Sequence, residues 1–390
     1  MERTFPDLES RIFDVLVVGG GITGAGIARD ASMRGLSVAI VDKGAWASGT
    51  SSKSSRLIHG GIRYLERGQV GLVRESVRER EILLRIAPHL VKPLEFTWPV
   101  YRGARLPRWK LGIGLGIYDL LAGRRRVRRH KSLGVEETLE NEPALDRTGL
   151  RGGASYFDAS TDDAGLTVST IAAAVDNGAV AVHHARMDSV TLSGKRADGA
   201  VISDTLNGGT TQARARVIVS ATGPWQAKGT KGSHVAVARD RIGNRAAVTL
   251  TSPLDGRVMF VLPSGDRAII GTTDIYTSES PDHVKASKEE IDYLLRSANH
   301  YFPAAALTTN DVLDTWAGIR PLAASPAGTS PSSISREHQI SVDPAGVIVV
   351  TGGKLTTYRS MAAEIVDVVE KKLGRKPRRA PTDEVPLPVI

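Results

Sequence analysis

"FDVLVVGGGITGAGIARD", residues 13–30, decides the fold. Asp14 to Gly20 is a short, β-branched, apolar run of the kind that forms a buried parallel strand. Gly19, Gly21 and Gly24 then fill a G-x-G-x-x-G pattern, and Gly26 follows. Ile22, Ala25, Ile27, Ala28 and Ala31 recur at helical spacing. A second strand, "LSVAIVDK" (36–43), brings Asp42 to its end, about twenty residues beyond the glycines. Bare glycines let a pyrophosphate approach the backbone, and the helix N-terminus supplies amides and a favourable dipole. An acid at the end of the second strand accepts from ribose hydroxyls. Strand, glycines, helix, strand and acid in this order predict dinucleotide binding over a plain glycine turn.

Composition bounds the rest. A chain of 390 residues, 41% hydrophobic, exceeds what one core usually serves, so two closely joined domains are expected. Cysteine is absent, which excludes disulfides, Cys-ligated zinc, iron–sulfur clusters and a thiol nucleophile. No metal site is expected. The N-terminus lacks the charged-then-apolar layout of a secretory signal, and no apolar run reaches the length of a membrane span. A cytoplasmic topology is therefore expected. A net charge of +9 favours anionic partners. The densest basic run, "RRRVRRHK" (124–131), follows the apolar "RLPRWKLGIGLGIYDLLAG" (105–123), which carries Trp109 and Tyr118. Apolar surface beside a basic cluster suits an anionic membrane; a buried helix and a solvated loop are the alternative. No recognition motif accompanies the charge, so nucleic acid is not expected.

The loop after Asp42 bears on which dinucleotide is bound. "TSSKSSRLIHGGIRYL" (50–65) is hydroxyl-rich where a nicotinamide domain would run into another βα unit. FAD proteins of the glutathione-reductase type insert wrapping loops here, an analogy at the level of fold. "ARVIVSATGPW" (215–225) is a late strand, Arg216 to Ser220, ending in A-T-G. "VIVVTGGKLTTYRSMAAEIVDVVEK" (347–371) repeats the opening logic: a strand reaches Gly352 and Gly353, and a helix starts around Thr356 and Thr357. That is a second helix N-terminus for the flavin's pyrophosphate or pyrimidine ring, or an ordinary strand–turn–helix.

These stretches, together with "SGTSSKSSRLIHGGIRYLE", "REREILLRIAPHLV", "GIGLGIYDLLAG", "KGSH", "IIGTTD", "GIRPL" and "GGKLTTYR", carry a resemblance over nearly the whole chain. The chain resembles the FAD-dependent, respiratory glycerol-3-phosphate dehydrogenases, related to glycerol-phosphate oxidases. "SSRLIHGGIRYLE" and "GGKLTTYR" are its most specific matches. The resemblance implies an α/β fold: an FAD-binding, Rossmann-like domain of glutathione-reductase type with an inserted substrate domain on an antiparallel sheet. The FAD-binding domain would comprise 1–70, 150–225 and 340–375. The substrate or cap domain would comprise 71–149 and 226–339, leaving 376–390 as a tail. Strands "RVMFVLPSG" and "RAIIGTTDIY" would belong to the second sheet.

The resemblance implies non-covalent FAD. Its contacts would be Gly19, Gly21, Ile22, Thr23, Gly24, Asp42, Lys43, Thr50, Ser51, Ser52, Ser55, Met187, Ala221, Thr222, Gly223, Gly353, Lys354, Leu355 and Thr356. It also implies oxidation of sn-glycerol 3-phosphate to dihydroxyacetone phosphate, with hydride passing from C2 to flavin N5. Electrons would go to a membrane quinone, ubiquinone or menaquinone, from a peripheral position on the inner face of the cytoplasmic membrane. Oligomeric state stays open, a homodimer being one option. Relatives carry a helical segment between A-T-G-P-W and K-G-S-H and a C-terminal helical domain. Here only "QAKGT" lies between Trp225 and Lys231, and the chain stops at Ile390. A flavin-binding remnant without activity, an oxidase using O2, and an amine or D-amino-acid oxidase of the same fold are the competing readings.

The substrate also has a reading from residue chemistry. A phosphate monoester needs fixed cations, preferably guanidinium groups that bind two oxygens. Arg63, Arg320, Arg336 and Lys354 all stand beside turn residues or strand ends. The resemblance places Arg63, Arg320 and Lys354 around substrate, with Tyr64 and Arg336 as neighbours. Proton transfer needs a base, and histidine has the intrinsic pKa for it. His59 is the first candidate and His234 the second. Arg320 would steady charge on oxygen, and Lys354 would act near the flavin or the phosphate.

Overall fold

β1 (Phe13–Val18) is the opening apolar run, α1 (Ile22–Met33) starts directly after the glycines, and β2 (Val38–Val41) pairs parallel with β1. Residues 5–123, 127–222, 229–321 and 338–390 are described by the computed structural model, without the side chains of residues 63, 66, 67 and 321. Gly223, Arg336, the Arg63 side chain and the start of the basic run lie outside the described residues.

The chain continues through β3 (Leu57–Ile58), α2 (Val70–Ile86), β4 (Val91–Tyr101), α3 (Arg108–Ala122), β5 (Lys131–Leu133), α4 (Val135–Asn141) and β6 (Leu150–Thr161). Next come α5 (Asp163–Asp176), β7 (Val180–Val182), β8 (Ala185–Ser193), β9 (Arg196–Asp204), β10 (Thr210–Ser220), β11 (Gly229–Ala238) and α6 (Arg239–Ile242). β12 (Ala247–Thr251), β13 (Val258–Ser264), β14 (Arg267–Gly271), β15 (Ile275–Thr277), α7 (Lys288–Asn299) and β16 (Val312–Pro321) follow. β17 (Gln339–Val342), β18 (Ile348–Thr351) and α8 (Tyr358–Lys372) close the order.

Two sheets organise these elements. The first runs β17-β18-β10-β1-β2-β7, with β8 and β9 extending β10 as a meander. Its centre, β18-β10-β1-β2-β7, is parallel, as the fully apolar strands require. α1, α5 and α8 cover one face, burying Ile27, Val17, Ile365 and Val369 together. The late strand β10 lies directly beside β1, so a segment two hundred residues away in sequence completes the nucleotide sheet. The second sheet runs β15-β11-β14-β13-β12-β4-β6-β3, with β16 on β11 and β5 on β6, largely antiparallel. α7 packs on it through Leu294, Leu295 and Ala298.

Residues 57–58 and 150–161 sit in the second sheet, paired with each other and with β4. The expected boundaries give both stretches to the nucleotide part. The reason is visible in β6 itself, where Ala154 and Tyr156, two residues apart, point into the core of the second sheet. Residues 376–390 are tied down. Arg29, buried on α1, donates to the carbonyls of Thr382 and Val385, and the Leu387 amide donates to Ile86.

α3 buries Leu111, Leu115 and Tyr118 and turns Trp109, Ile113, Ile117 and Leu120 outward, Leu120 to 77% exposure. No helix among the described residues is long and apolar enough to cross a membrane.

Candidate functional site

The β1–α1 turn is a cradle made by absent side chains. Gly19 has φ +111, in the region that favours glycine, and a Cβ there would sit 3.0 Å from the Ala221 backbone. A Cβ on Gly24 would run into the Gly19 carbonyl oxygen, and one on Gly21 would stand 2.9 Å from Ser51 Oγ. Ser51 Oγ accepts the Ile22 amide at 2.9 Å, so an oxygen already takes the first free N–H of α1. Gly26 has another purpose: its bare Cα admits Tyr358 and Ala362 where α8 crosses α1. Asp42 accepts from the amides of Gly20 (2.6 Å) and Gly44 (2.8 Å). Burial pushes its carboxyl upward, and the two backbone donors partly offset this. Both oxygens keep lone pairs for further donors. A backbone kept clear of side chains, a helix N-terminus and a buried acid fit the adenosine and pyrophosphate of FAD.

The second glycine turn lies beside this one. Gly352 and Gly353 have φ +74 and +95, and a short 3-10 turn, Leu355–Thr357, leads into α8. Leu355 shares an apolar cluster with Ile22, Ile58 and Tyr358, so the two helix starts converge. Thr356 Oγ1 accepts from the His59 amide at 3.1 Å and donates to the His59 carbonyl at 3.3 Å. Lys354 Nζ stands 3.8 Å from the centroid of the Tyr64 ring, a cation–π contact shielded from solvent. The H-G-G-I-R-Y turn and the G-G-K-L-T-T turn are thereby one structure. Beneath it, the Gly60 amide donates to Tyr118 Oη (2.9 Å) and Asp158 Oδ1 (3.2 Å). Arg80 donates to the same Asp158 oxygen at 2.6 Å.

A third region forms on one face of the β11–β16 ribbon. The register sets His234 opposite Trp316, Gly232 opposite Gly318 and Thr230 opposite Arg320. Alternation puts these six residues on one side. Gly232 leaves room for the Arg320 guanidinium, 2.5 Å from where a Cβ would be, and Gly318 does the same for Lys53 and Thr50. Arg320 donates to Asp274 Oδ1 (3.1 Å) and Thr272 Oγ1 (3.2 Å), and Arg257 holds the other Asp274 oxygen at 3.2 Å. Thr50 donates to the Ile319 carbonyl at 2.9 Å, fastening the nucleotide loop to this face.

His234 is the buried titratable group of that face, 1% exposed. Its ring stacks on Trp316 with centroids 5.2 Å apart, and the Arg56 guanidinium covers the same Trp316 ring. Nε2 lies 2.8 Å from Ser55 Oγ, while Nδ1 has no hydrogen-bond partner. Burial, with Arg320 and Arg56 nearby, pushes the imidazole down to about 3, so it is neutral at ordinary pH. A neutral imidazole with a buried, unpartnered nitrogen is suited to accept a proton.

Most of the expected residues therefore fall into one of these three groups. Ser55 joins His234. Met187 packs beside the sheet on β8, and Lys43 reaches outward to an exposed ion pair with Asp282. Ala221 and Thr222 abut Gly19, the Ala221 amide donating to Val18. Asp274, Trp316, Tyr118 and Asp158 were not anticipated. The available signal was the repeated G-x-H and G-x-R of "KGSH" and "GIRPL", a spacing of two that places both candidate residues and both glycines on one strand face. Among the described residues no cluster of three metal-ligating side chains occurs.

Residues 14–366 match the family described as DAO, FAD dependent oxidoreductase. The chain is 38% identical over 387 residues to an aerobic glycerol-3-phosphate dehydrogenase of Staphylococcus saprophyticus, covering 95% of this chain and 69% of that protein. Against the Staphylococcus aureus protein of the same name it is 37% identical over 389 residues, covering 96% and 70%. Among solved structures, the glycerol-3-phosphate dehydrogenase of Bacillus halodurans complexed with FAD aligns with a TM-score of 0.79 at 32% identity, over 96% of this chain and 68% of that one. The L-α-glycerophosphate oxidase of Mycoplasma pneumoniae aligns with a TM-score of 0.69 at 19% identity, over 97% and 100%. At that identity the likeness is one of fold.

Proposed function

The chain belongs to the FAD dependent oxidoreductase family, and from that premise we propose that it is an FAD-dependent glycerol-3-phosphate dehydrogenase. It oxidises sn-glycerol 3-phosphate to dihydroxyacetone phosphate. The observation that carries the reading is the join between the nucleotide loop and the β11–β16 face, where His234 Nδ1 is buried and unpartnered beside Arg320. FAD, when bound, supplies the two-electron acceptor for the hydride leaving C2. The chain's own residues do the rest.

Gly19, Gly21, Gly24, Ser51 and Asp42 would hold the adenosine and pyrophosphate, and the Gly353–Thr356 turn would serve the flavin end. His234 takes the hydroxyl proton; its low basicity is offset because the hydroxyl becomes far more acidic as hydride leaves its carbon. The Arg320 guanidinium, fixed by Asp274 and Thr272, steadies the oxygen. His59 is held by its main chain at the Thr356 turn and closes the site from the other side. Lys354, Tyr64 and, on sequence, Arg63 and Arg336 take the phosphate. In this reading the first sheet and its two glycine turns serve the cofactor, and the second sheet with the H-G-G-I-R-Y turn serves the substrate.

The electrons pass to a membrane quinone. The outward apolar stripe of α3, flanked by Arg105, Arg108, Lys110, Arg128 and Lys131, supports docking on an anionic surface. Binding to acidic liposomes is expected to weaken with salt; equal partition onto neutral vesicles would remove this part.

Anaerobic bleaching of the bound flavin tests the whole. sn-Glycerol 3-phosphate is expected to bleach it and free glycerol is not. Bleaching by amino acids alone would replace the reading with an amine oxidation. Little peroxide under air is expected if quinone is the acceptor.

A further inference from the structure

Ser55 lies at a junction. Its Oγ is 2.8 Å from His234 Nε2, and the residue also lines a cavity of about 510 Å3 whose wall carries Arg56, Asp162, Asp163 and Ala164. The imidazole it touches is held flat. Trp316 stacks on it at an interplanar angle of 12°, and on the β14 side the missing side chain of Gly271 makes the space for its ring.

A neutral imidazole has two tautomers, and only one suits a base acting through Nδ1. The proton must then sit on Nε2. The second nitrogen's partner decides which form is populated. Here that partner is a hydroxyl, which can donate or accept. The cavity breaks the tie. The wall carboxylates already receive Ser54, Ala164 and Gly165, so water in the cavity can take the Ser55 O–H, leaving a Ser55 lone pair for the Nε2–H. The charged groups facing the ring are Arg320 on β16 and Arg56 ahead of β3. Both are cations, and both disfavour the imidazolium without choosing between tautomers.

We propose that Ser55 is a positioning residue that fixes His234 as the Nε2–H tautomer, keeping Nδ1 bare for the substrate hydroxyl. This rests on the functional reading above and adds a residue to it. The sequence names Ser55 as a cofactor contact; its hydroxyl also meets His234.

The test is Ser55→Ala beside Ser55→Thr, both loaded with flavin. In Ser55→Ala, kcat with sn-glycerol 3-phosphate is expected to fall about tenfold, as for one lost hydrogen bond, with KM little changed. Ser55→Thr keeps the hydroxyl and should recover most of the rate. The separate readout is the 15N spectrum of the His234 ring in protein without substrate. Wild type should show a protonated Nε2 and a bare Nδ1, and Ser55→Ala a mixture of tautomers. Unchanged ring shifts in Ser55→Ala overturn the proposal, whatever the rate does. So does loss of bound flavin with unchanged shifts, which would make Ser55 a cofactor contact. Should the alanine chain not fold, Ser55→Cys, similar in size and a weak acceptor, serves for the same comparison. If the wild-type flavin is not bleached by sn-glycerol 3-phosphate, the functional reading fails, while the tautomer measurement still judges Ser55.

Discussion

The β1–α1 turn and the β11–β16 face both depend on glycine, for opposite reasons. In the turn, Gly19, Gly21 and Gly24 keep side chains away from backbone that a ligand must approach. On the face, Gly232 and Gly318 clear space for side chains arriving from elsewhere, the Arg320 guanidinium over one and Thr50 with Lys53 over the other. The turn is assembled from residues 19–51, with the Ala221 backbone behind it. The face draws on residues 50–55, 229–238, 271–274 and 312–320, brought together by sheet register. A site of the first kind tolerates change in its surroundings but not in its own backbone. A site of the second kind can be weakened from several directions.

The largest expected effect breaks the turn. In Gly24→Val a branched side chain meets the Gly19 carbonyl, backbone with little room to yield, and the buried Val17 side chain beside it. Overpacking of this kind costs about 1–3 kcal/mol and here also displaces the cradle. The purified protein is expected to carry no flavin, read from its visible spectrum. Gly49→Ala, with nothing near its Cβ, should remain fully yellow.

Next comes the face. Arg320→Ala should keep its flavin and lose turnover, because the contact strengthens as charge develops on oxygen. A charge-assisted hydrogen bond is worth about 1.5–3 kcal/mol, so kcat should fall roughly ten- to a hundredfold. Loss of flavin in this variant would merge the two regions into one and undo the comparison.

His234 gives a pH signature that the turn lacks. Its value is about 3 in the fold and 6.5 in the unfolded chain. Between those values the unfolded chain binds the extra proton, so stability is full above 6.5 and falls as the pH drops toward 3. At pH 5 this one group should account for about 2 kcal/mol of lost stability. Denaturant melts at pH 7 and pH 5 should show that increment in wild type, and His234→Gln should lose it. An equal acid sensitivity in both chains would mean that the ring is solvated.

The contrast explains what the sequence could reveal. The turn was legible because its strand, glycines, helix and Asp42 lie in local order and each has a compositional mark. The fold class followed from that and from the late strand ending in A-T-G, which does pair with β1. The residues of the face were individually visible: His234 and Arg320 were named, though His59 was placed first. Their relation was not visible, because it is set by strand register, which no local pattern encodes. Asp274 and Trp316 have no motif of their own, and nothing local in residues 150–161 shows that β6 pairs with β3, β4 and β5.

The smallest expected effect tests whether the H-G-G-I-R-Y turn behaves like the first kind of site or the second. Its backbone is local, yet the Gly60 amide is received by Tyr118 from α3 and Asp158 from β6. Tyr118 is fully buried, and burial beside Asp158 raises its phenol well above the ordinary value, so it stays a neutral donor, at 2.5 Å to Asp158. Tyr118→Phe removes that hydroxyl and keeps the ring packed against Val73 and Val77. Asp158 retains Arg80 and the Gly60 amide, so no charge is stranded. The loss should be about 1 kcal/mol of stability, the net worth of a typical hydrogen bond. If the turn is held from outside, the same change should raise KM for sn-glycerol 3-phosphate a few-fold while kcat and flavin content stay near wild type. If the turn is self-sufficient, the stability falls and KM does not move. That second outcome would place it with the nucleotide turn, and α3 would have no structural line to the substrate.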